Sequence, residues 1–521
     1  MSVVNRYAVA ASVLCVLFLI PRSSSSQEPR GKAVYDKWCA GCHGDTGAGD
    51  GYAQAFMLPR PRDFTKGVYQ IRTTASGELP TDDDLRRVID DGMPGTAMPG
   101  WRERLTSGER GDVLAYLKTF SQFFAGTAPT RIGIGNAPGS SSEGIEEGRQ
   151  TYQKLECFKC HGQQGRGDGT SAPTLTDDWD QPIFAADLTA SWRFNGGNSV
   201  EDIYARLRTG LDGTPMPSFS DAIDSKIITD EQLWRVAQYV RSLSPEEPPE
   251  VREVIRAHLT NEALPRGPDD TTWARAESNY IPLVGQIIVK PRWFSPAVDG
   301  VWVQAMHDRS RLALRLVWHD RSRSPAPAWD EWLGRIRQAM TDADGPLAPS
   351  QGPDLLAVQF SPASGEAEPP YFLGGSTRRP AHVWRWSSTP DAVAAGTSTG
   401  LGTFTPQAGA SELTHAARYV EGQWELQITR AITPADTTRA PAFAAGRALP
   451  IAFFAADGSH GEDAVRGAVS AWYSIYLDVA TPTRVYVAPG LTMLLTAGLG
   501  VMLVRQAQRR ERSSERSNRE E

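Results

Sequence analysis

The chain has 521 residues, enough for several domains, with 61 acidic against 54 basic side chains and a net charge of −7. That balance leaves no basic footprint, and nucleic acid is excluded as an expected partner. Four of the five cysteines fall in two short motifs and the fifth, Cys15, lies in an apolar N-terminal run.

Residues 1–26 read as a secretory signal, with Arg6 as the positive region, Tyr7 to Ile20 as the apolar stretch and Ser23 to Ser26 as small residues for cleavage. Lipidation at Cys15 is disfavoured by the bulky Leu14 before it.

The first domain is expected over 27–126. Gly31 and Tyr35 open a short helix that delivers Cys39-Ala40-Gly41-Cys42-His43. Two cysteines three apart, followed directly by histidine, form the attachment site for c-type haem. The thiols on one helical turn reach the two vinyl groups of one porphyrin edge, and the imidazole reaches the iron. Thr81-Asp82-Asp83-Asp84 reads as a helix start, with Leu85, Val88 and Ile89 at helical spacing. That helix ends near Gly92, a Pro/Gly loop presents Met98, and Val113, Leu114 and Leu117 mark a closing helix.

Residues 127–143 form a Gly/Pro/Ser linker, and 144–244 repeat the domain. Adding 118 to Cys39, Cys42 and His43 gives Cys157, Cys160 and His161. The same offset carries Gly49-Asp50-Gly51 onto Gly167-Asp168-Gly169 and Met98 onto Met216. Met93, the other candidate ligand, lands on Leu211, so the repeat favours Met98 and Met216, each 55 residues after its histidine. A zinc site or redox pair would explain one CxxC, but not two CxxCH motifs each with an equally placed Met-Pro. Two all-α cytochrome c domains follow, with two covalently bound haem c groups. His161, Leu188-Thr189 and Gly210 to Pro217 resemble the monohaem class I cytochrome c family.

After a stiff linker over 245–269 the pattern changes to period two. Leu312, Leu314, Leu316 and Trp318 alternate, Trp384 and Trp386 flank Arg385, and Trp424, Leu426 and Ile428 alternate. An antiparallel β-sandwich over 270–480 is expected, with ten of the 15 tryptophans between 251 and 480 supplying mostly core. Val289-Lys290-Pro291, Leu316 to Asp320, Tyr371 to Gly374, Trp384 to Trp386 and Asp457 to Glu462 resemble the haem-binding gamma subunit of ethylbenzene dehydrogenase. That resemblance implies a haem b held by methionine and lysine, and a molybdenum oxidoreductase of the dimethyl sulfoxide reductase family as partner. Here the family's methionine falls on Leu373 and its lysine near Arg466 or Gly467, so haem b is not expected unless His319, His382 or His460 replaces the ligands.

Val485 to Val504 is an uncharged stretch of 20 residues, about 30 Å as a helix, and reads as a transmembrane segment. The tail 505–521 holds six Arg and four Glu, placing it in the cytoplasm and the haem domains in the periplasm, on a bacterial inner membrane. The whole reads as a membrane-anchored dihaem electron carrier between a periplasmic oxidoreductase and the respiratory chain, not an enzyme. The alternatives are a dihaem peroxidase, which needs an open iron position, and a ligand-binding module with haems as reporters.

Overall fold

The computed structural model describes residues 30–340, 347, 350–361, 369–407, 413–434, 440–480 and 484–520. The expected signal segment lies outside the described residues. Helices α1 (Arg30–Trp38), α2 (Asp82–Asp91) and α3 (Ser107–Lys118) build the first unit. Helices α4 (Ser142–Lys154), α5 (Val200–Thr209) and α6 (Asp230–Ser242) build the second. Their starts follow from local chemistry. The Thr81 hydroxyl accepts from Asp84 N while the Asp84 carboxylate accepts from Thr81 N, and Thr229 with Gln232 repeats the reciprocal cap.

In each unit the first helix crosses the last at a glycine. A Cβ on Gly31 would lie 2.0 Å from the Asp112 carbonyl oxygen, and one on Gly148 would lie 2.0 Å from that of Arg235. Only a residue without a side chain lets the two backbones approach this closely. Beside each crossing a fully buried tyrosine ties the haem-motif turn to the helix pair: Tyr35 Oη donates to the Gly44 carbonyl at 2.7 Å, and Tyr152 Oη to that of Gly162 at 2.7 Å.

The third unit is a sheet of fourteen strands among the described residues. They are β1 (Val254–Leu259), β2 (Asn279–Pro282), β3 (Val284–Gly285), β4 (Gly300–His307) and β5 (Arg311–His319). There follow β6 (Leu355–Phe360), β7 (Ala381–Ser388), β8 (Asp391–Ser398), β9 (Thr405–Pro406) and β10 (Thr414–Val420). The last are β11 (Gln423–Ala431), β12 (Ala448–Ala456), β13 (Ala468–Val469) and β14 (Tyr473–Leu477). The main path runs β10-β11-β5-β4-β1-β14-β12-β6-β7-β8-β9.

This corrects the expected antiparallel sandwich, because the sheet is mixed. Strand β1 runs parallel to both neighbours, with Ile255 opposite Ile475 and Ala257 opposite Ala305. Hairpin-joined strands must be antiparallel, but β1 enters from the second helical unit and owes its direction to no turn. It also lies inside 245–269, so the stretch read as linker already contains the central strand.

The sheet rolls so that its two halves face each other. Trp318 on β5 and Trp424 on β11 meet Trp386 on β7, with ring centroids 5.6 and 4.8 Å apart. Leu312, Leu314, Leu316 and Trp318 fill this inner layer. The opposite face of β5 is buried as well, since Trp273 packs over Ala313 and Met306.

Helix α7 (Asp330–Ala339) packs Trp332 and Ile336 into a separate apolar cluster with Trp293. The C-terminal helix α8 (Arg484–Glu520) continues through the stretch read as a basic tail. Its segment Val487–Ser514 has no buried part and is, among the described residues, the one helix long and apolar enough to cross a membrane.

Candidate functional site: two haem-attachment motifs

Cys39 and Cys157 each begin a one-turn helix, Ala40–His43 and Phe158–His161. His43 N bonds the Cys39 carbonyl at 2.9 Å and His161 N bonds that of Cys157 at 2.9 Å, so both cysteines and the histidine share one turn. The four thiols are free. Burial pushes the Cys39 thiol up to about 11 and the Cys157 thiol up to about 12, which suits a neutral sulfur rather than a thiolate.

The glycine loop after each motif wraps it in the same way. Gly49 N bonds the His43 carbonyl at 2.8 Å and Gly167 N bonds that of His161 at 2.9 Å. A Cβ on Gly51 would lie 2.5 Å from the Gly41 carbonyl, and one on Gly169 would lie 2.2 Å from that of Lys159. The repeated Gly-Asp-Gly is therefore a packing requirement of the motif turn.

Each imidazole is anchored from behind. His43 Nδ1 lies 3.0 Å from the Arg62 carbonyl oxygen, and His161 Nδ1 lies 3.0 Å from that of Ala186. A carbonyl can only accept, so Nδ1 carries the proton and Nε2 presents its lone pair. Burial lowers both histidine pKa values and favours the neutral ring. His43 also stacks on Phe64, centroids 4.4 Å apart. Sequence reasoning missed Arg62 and Ala186, because a backbone carbonyl carries no residue-type signal.

The methionine loops match as well. Met93 N bonds the Met98 carbonyl at 3.0 Å, and Leu211 N bonds that of Met216 at 3.1 Å. Met93 and Met98 both line a cavity of 1210 Å³ with Cys39, Cys42, His43 and Trp38. That volume exceeds the roughly 300–1,000 Å³ of ordinary small-ligand sites. Asp177, Trp179 and Gln181 of the second unit and Arg335 and Gln338 of α7 also line it, so all three units shape the first cleft. In the second unit Met216 packs against the apolar cluster that holds Tyr152, Leu188 and Trp234.

Free thiols on one turn, an imidazole offering Nε2 and a large cleft with a thioether fit haem c. The chain carries two cytochrome c-type domains, which imply haem c. Residues 26–117 match the family described as cytochrome c oxidase, cbb3-type, subunit III, and residues 145–244 match the cytochrome c family.

A solved chain of the Kuenenia stuttgartiensis reducing HAO-like protein complex is 45% identical, covering 42% of this chain and 96% of that one with a TM-score of 0.39. A family 9 carbohydrate binding module from Caldicellulosiruptor kristjanssonii, solved with cellotriose, is 13% identical, covering 44% of this chain and 95% of that one with a TM-score of 0.26. No curated protein matches the chain. None of the matches named here is an ethylbenzene dehydrogenase gamma subunit or a molybdenum enzyme.

The sheet unit does not fit a haem b. Leu373 is buried and has no lone pair, and the Arg466 guanidinium bridges Asp463 at 3.2 Å. The three histidines are separately engaged. His319 Nε2 bonds the Arg166 carbonyl, His382 Nε2 accepts from Trp384 Nε1 at 3.2 Å, and His460 Nε2 bonds the Ser295 carbonyl at 3.2 Å.

Proposed function

We propose that the chain is a membrane-anchored electron carrier holding two covalently attached haem c groups. Cys39, Cys42, Cys157 and Cys160 would hold the two groups covalently, and His43, His161, Met98 and Met216 would supply the ligands to the irons. One observation carries this reading: the imidazole anchored through Nδ1 to a carbonyl at 3.0 Å is built twice, each time one residue after the CxxC turn. Bound haem c supplies reversible one-electron chemistry. The chain would bind each group through its cysteines, hold the imidazole by the bond at Nδ1, and offer one histidine and one methionine to each iron, a donor set suited to electron transfer rather than to substrate binding.

Arg62 and Trp179 line the first cleft on the side of the second unit. The Arg62 guanidinium lies 4.8 Å from the Trp179 ring centroid, and Trp179 packs against Gly213 in the second methionine loop. Helix α8 anchors the chain, its Arg-rich end inside and the haem domains outside. The acidic external body suits a redox partner protein with a basic docking face.

The test is haem quantification on the denatured, solvent-extracted protein. Two covalent haems per chain are expected, and Cys157→Ala with Cys160→Ala should keep half. Full covalent haem in that double variant would refute the assignment.

A further inference from the structure

Three carboxylates from three separate strand ends converge under the second cytochrome domain. Asp320 follows β5, Asp354 precedes β6 and Asp457 follows β12. One oxygen from each lies within 4.8 Å of the others, and all three residues are at most 2% exposed.

Everything else that touches these groups donates to them. Asp354 Oδ2 accepts from Ser324 N at 2.8 Å and Trp424 Nε1 at 3.0 Å, and its Oδ1 accepts from Gly458 N at 3.1 Å. Asp457 Oδ1 accepts from Ser459 N at 2.8 Å, Ser459 Oγ at 2.7 Å and His460 N at 3.2 Å. Such shells are built for ionised carboxylates. Asp320 Oδ1 accepts from Ser322 N at 3.1 Å, but its Oδ2 is fully buried and has no hydrogen-bond partner among the described residues. An acceptor left bare at that depth is costly unless something positive meets it.

The protein itself supplies little compensation. Arg321 is the buried cation that acts on Asp457 and Asp320, and it also serves Asp187 while its guanidinium rests 3.9 Å from the Phe184 ring centroid. A fourth carboxylate, Glu462, adds to the excess, accepting from Trp293 Nε1 at 2.8 Å, Ala297 N at 2.7 Å and Asp457 N at 2.9 Å. Burial and mutual repulsion accordingly push Asp354 up to about 7 and Glu462 up to about 8.

We propose that Asp320, Asp354 and Asp457 form a buried Ca²⁺ site that clamps the ends of β5, β6 and β12. The donors are all hard oxygens, which excludes a soft metal. Mg²⁺ keeps several waters and uses one or two carboxylates, whereas a buried cluster of three suits the larger, more readily dehydrated Ca²⁺. The site adjoins the contact with the second cytochrome domain, where Phe184 packs against both Trp332 and His460, with ring centroids 4.6 and 5.0 Å away. Bound Ca²⁺ therefore stiffens the platform on which that domain sits.

The experiment uses the full-length haem-loaded protein in detergent, stripped with a chelator, desalted and titrated with Ca²⁺ alone. One Ca²⁺ per chain should bind by elemental analysis, and the unfolding temperature should rise on its addition. Asp320→Asn should weaken binding by about tenfold or more, because ligand charge sets affinity. In chelator the same variant should be at least as stable as the parent, since it removes a repelling charge, so a folded variant is expected. Should it fail to fold, the parent's own stoichiometry and thermal shift decide. No bound Ca²⁺ and no thermal shift in the parent would overturn the site and leave protons as the neutralising charge. Undiminished Ca²⁺ affinity in Asp320→Asn would overturn it equally.

Discussion

Met93 and Met98 line the same cavity as His43, and the proposed ligation calls on only one of the two sulfurs. The internal repeat favours Met98. Met93 sits at the loop base, where its N–H pairs with the Met98 carbonyl, and the equivalent base residue in the second unit is Leu211, whose N–H pairs the same way but whose side chain has no sulfur to offer. We therefore expect Met98→Ala to remove about half of the weak far-red sulfur-to-iron absorption of the oxidised protein, since two equivalent sites share it. Met93→Ala should leave that absorption unchanged, and its loss there would reverse the assignment. Both CxxCH turns were legible in the sequence because side-chain identity carries them, whereas the choice of Met98 and Met216 rests on the internal repeat and on the test above. The carbonyls of Arg62 and Ala186 were not legible, because what they contribute is backbone position.

Helices α2, α3, α5 and α6 announce themselves through caps and apolar spacing, as at Thr81 and Thr229, since those signals are local. Strand β1 does not. Ile255, Ala257 and Leu259 alternate correctly, but they follow a proline-rich stretch, and pairing with β4 and β14 across long connections leaves no local trace. The rolled sheet is likewise set by which tryptophans meet, not by any one strand. The helix crossings lie between these cases, for Gly31 and Gly148 stand out only once their partners are known. Gly148→Ala would drive a methyl group into the Arg235 carbonyl and force α4 and α6 apart, at a cost of about 1–3 kcal/mol. Its expected signature is a lower unfolding temperature with selective loss of haem from the second domain. An unchanged melting curve would mean the crossing is looser than drawn.

At the scale of the molecule, charge and burial join the three units, and two of these joints can be probed separately. The first lies between the second cytochrome domain and the sheet, where His319 Nδ1 is 3.8 Å from Asp187. Burial outweighs the attraction of Asp187 and depresses His319 to about 4. Because the folded value lies below the ordinary value of about 6.5, protons favour the unfolded state. The histidine's contribution is complete above about 6.5 and declines as pH falls toward 4. His319→Gln, which keeps a donor for the Arg166 carbonyl, should flatten the pH dependence of stability in that window; parallel curves for parent and variant would contradict the linkage.

The second joint lies between the two cytochrome domains. Arg72 is fully buried and donates to the carbonyls of Tyr69, Ala75 and Thr209 as well as to Asp212 at 2.6 Å. Asp212 in turn accepts from Ser76 Oγ at 2.9 Å and Gly77 N at 2.8 Å. One carboxylate from the second domain therefore neutralises and fixes a whole turn of the first. Asp212→Ala would leave the guanidinium buried beside three carbonyls, with only the weaker attraction of Asp84 to offset its charge, and removing one partner of such a pair costs about 3–5 kcal/mol. The three remaining carbonyls retain part of the guanidinium's solvation, which favours the lower end, about 3 kcal/mol. Replacing both residues by apolar ones, Arg72→Met with Asp212→Leu, removes the stranded charge and should recover much of that loss. Calorimetry on the single and double variants checks both signs, and a double variant no more stable than Asp212→Ala would show that Arg72 holds the first domain through its carbonyl bonds instead.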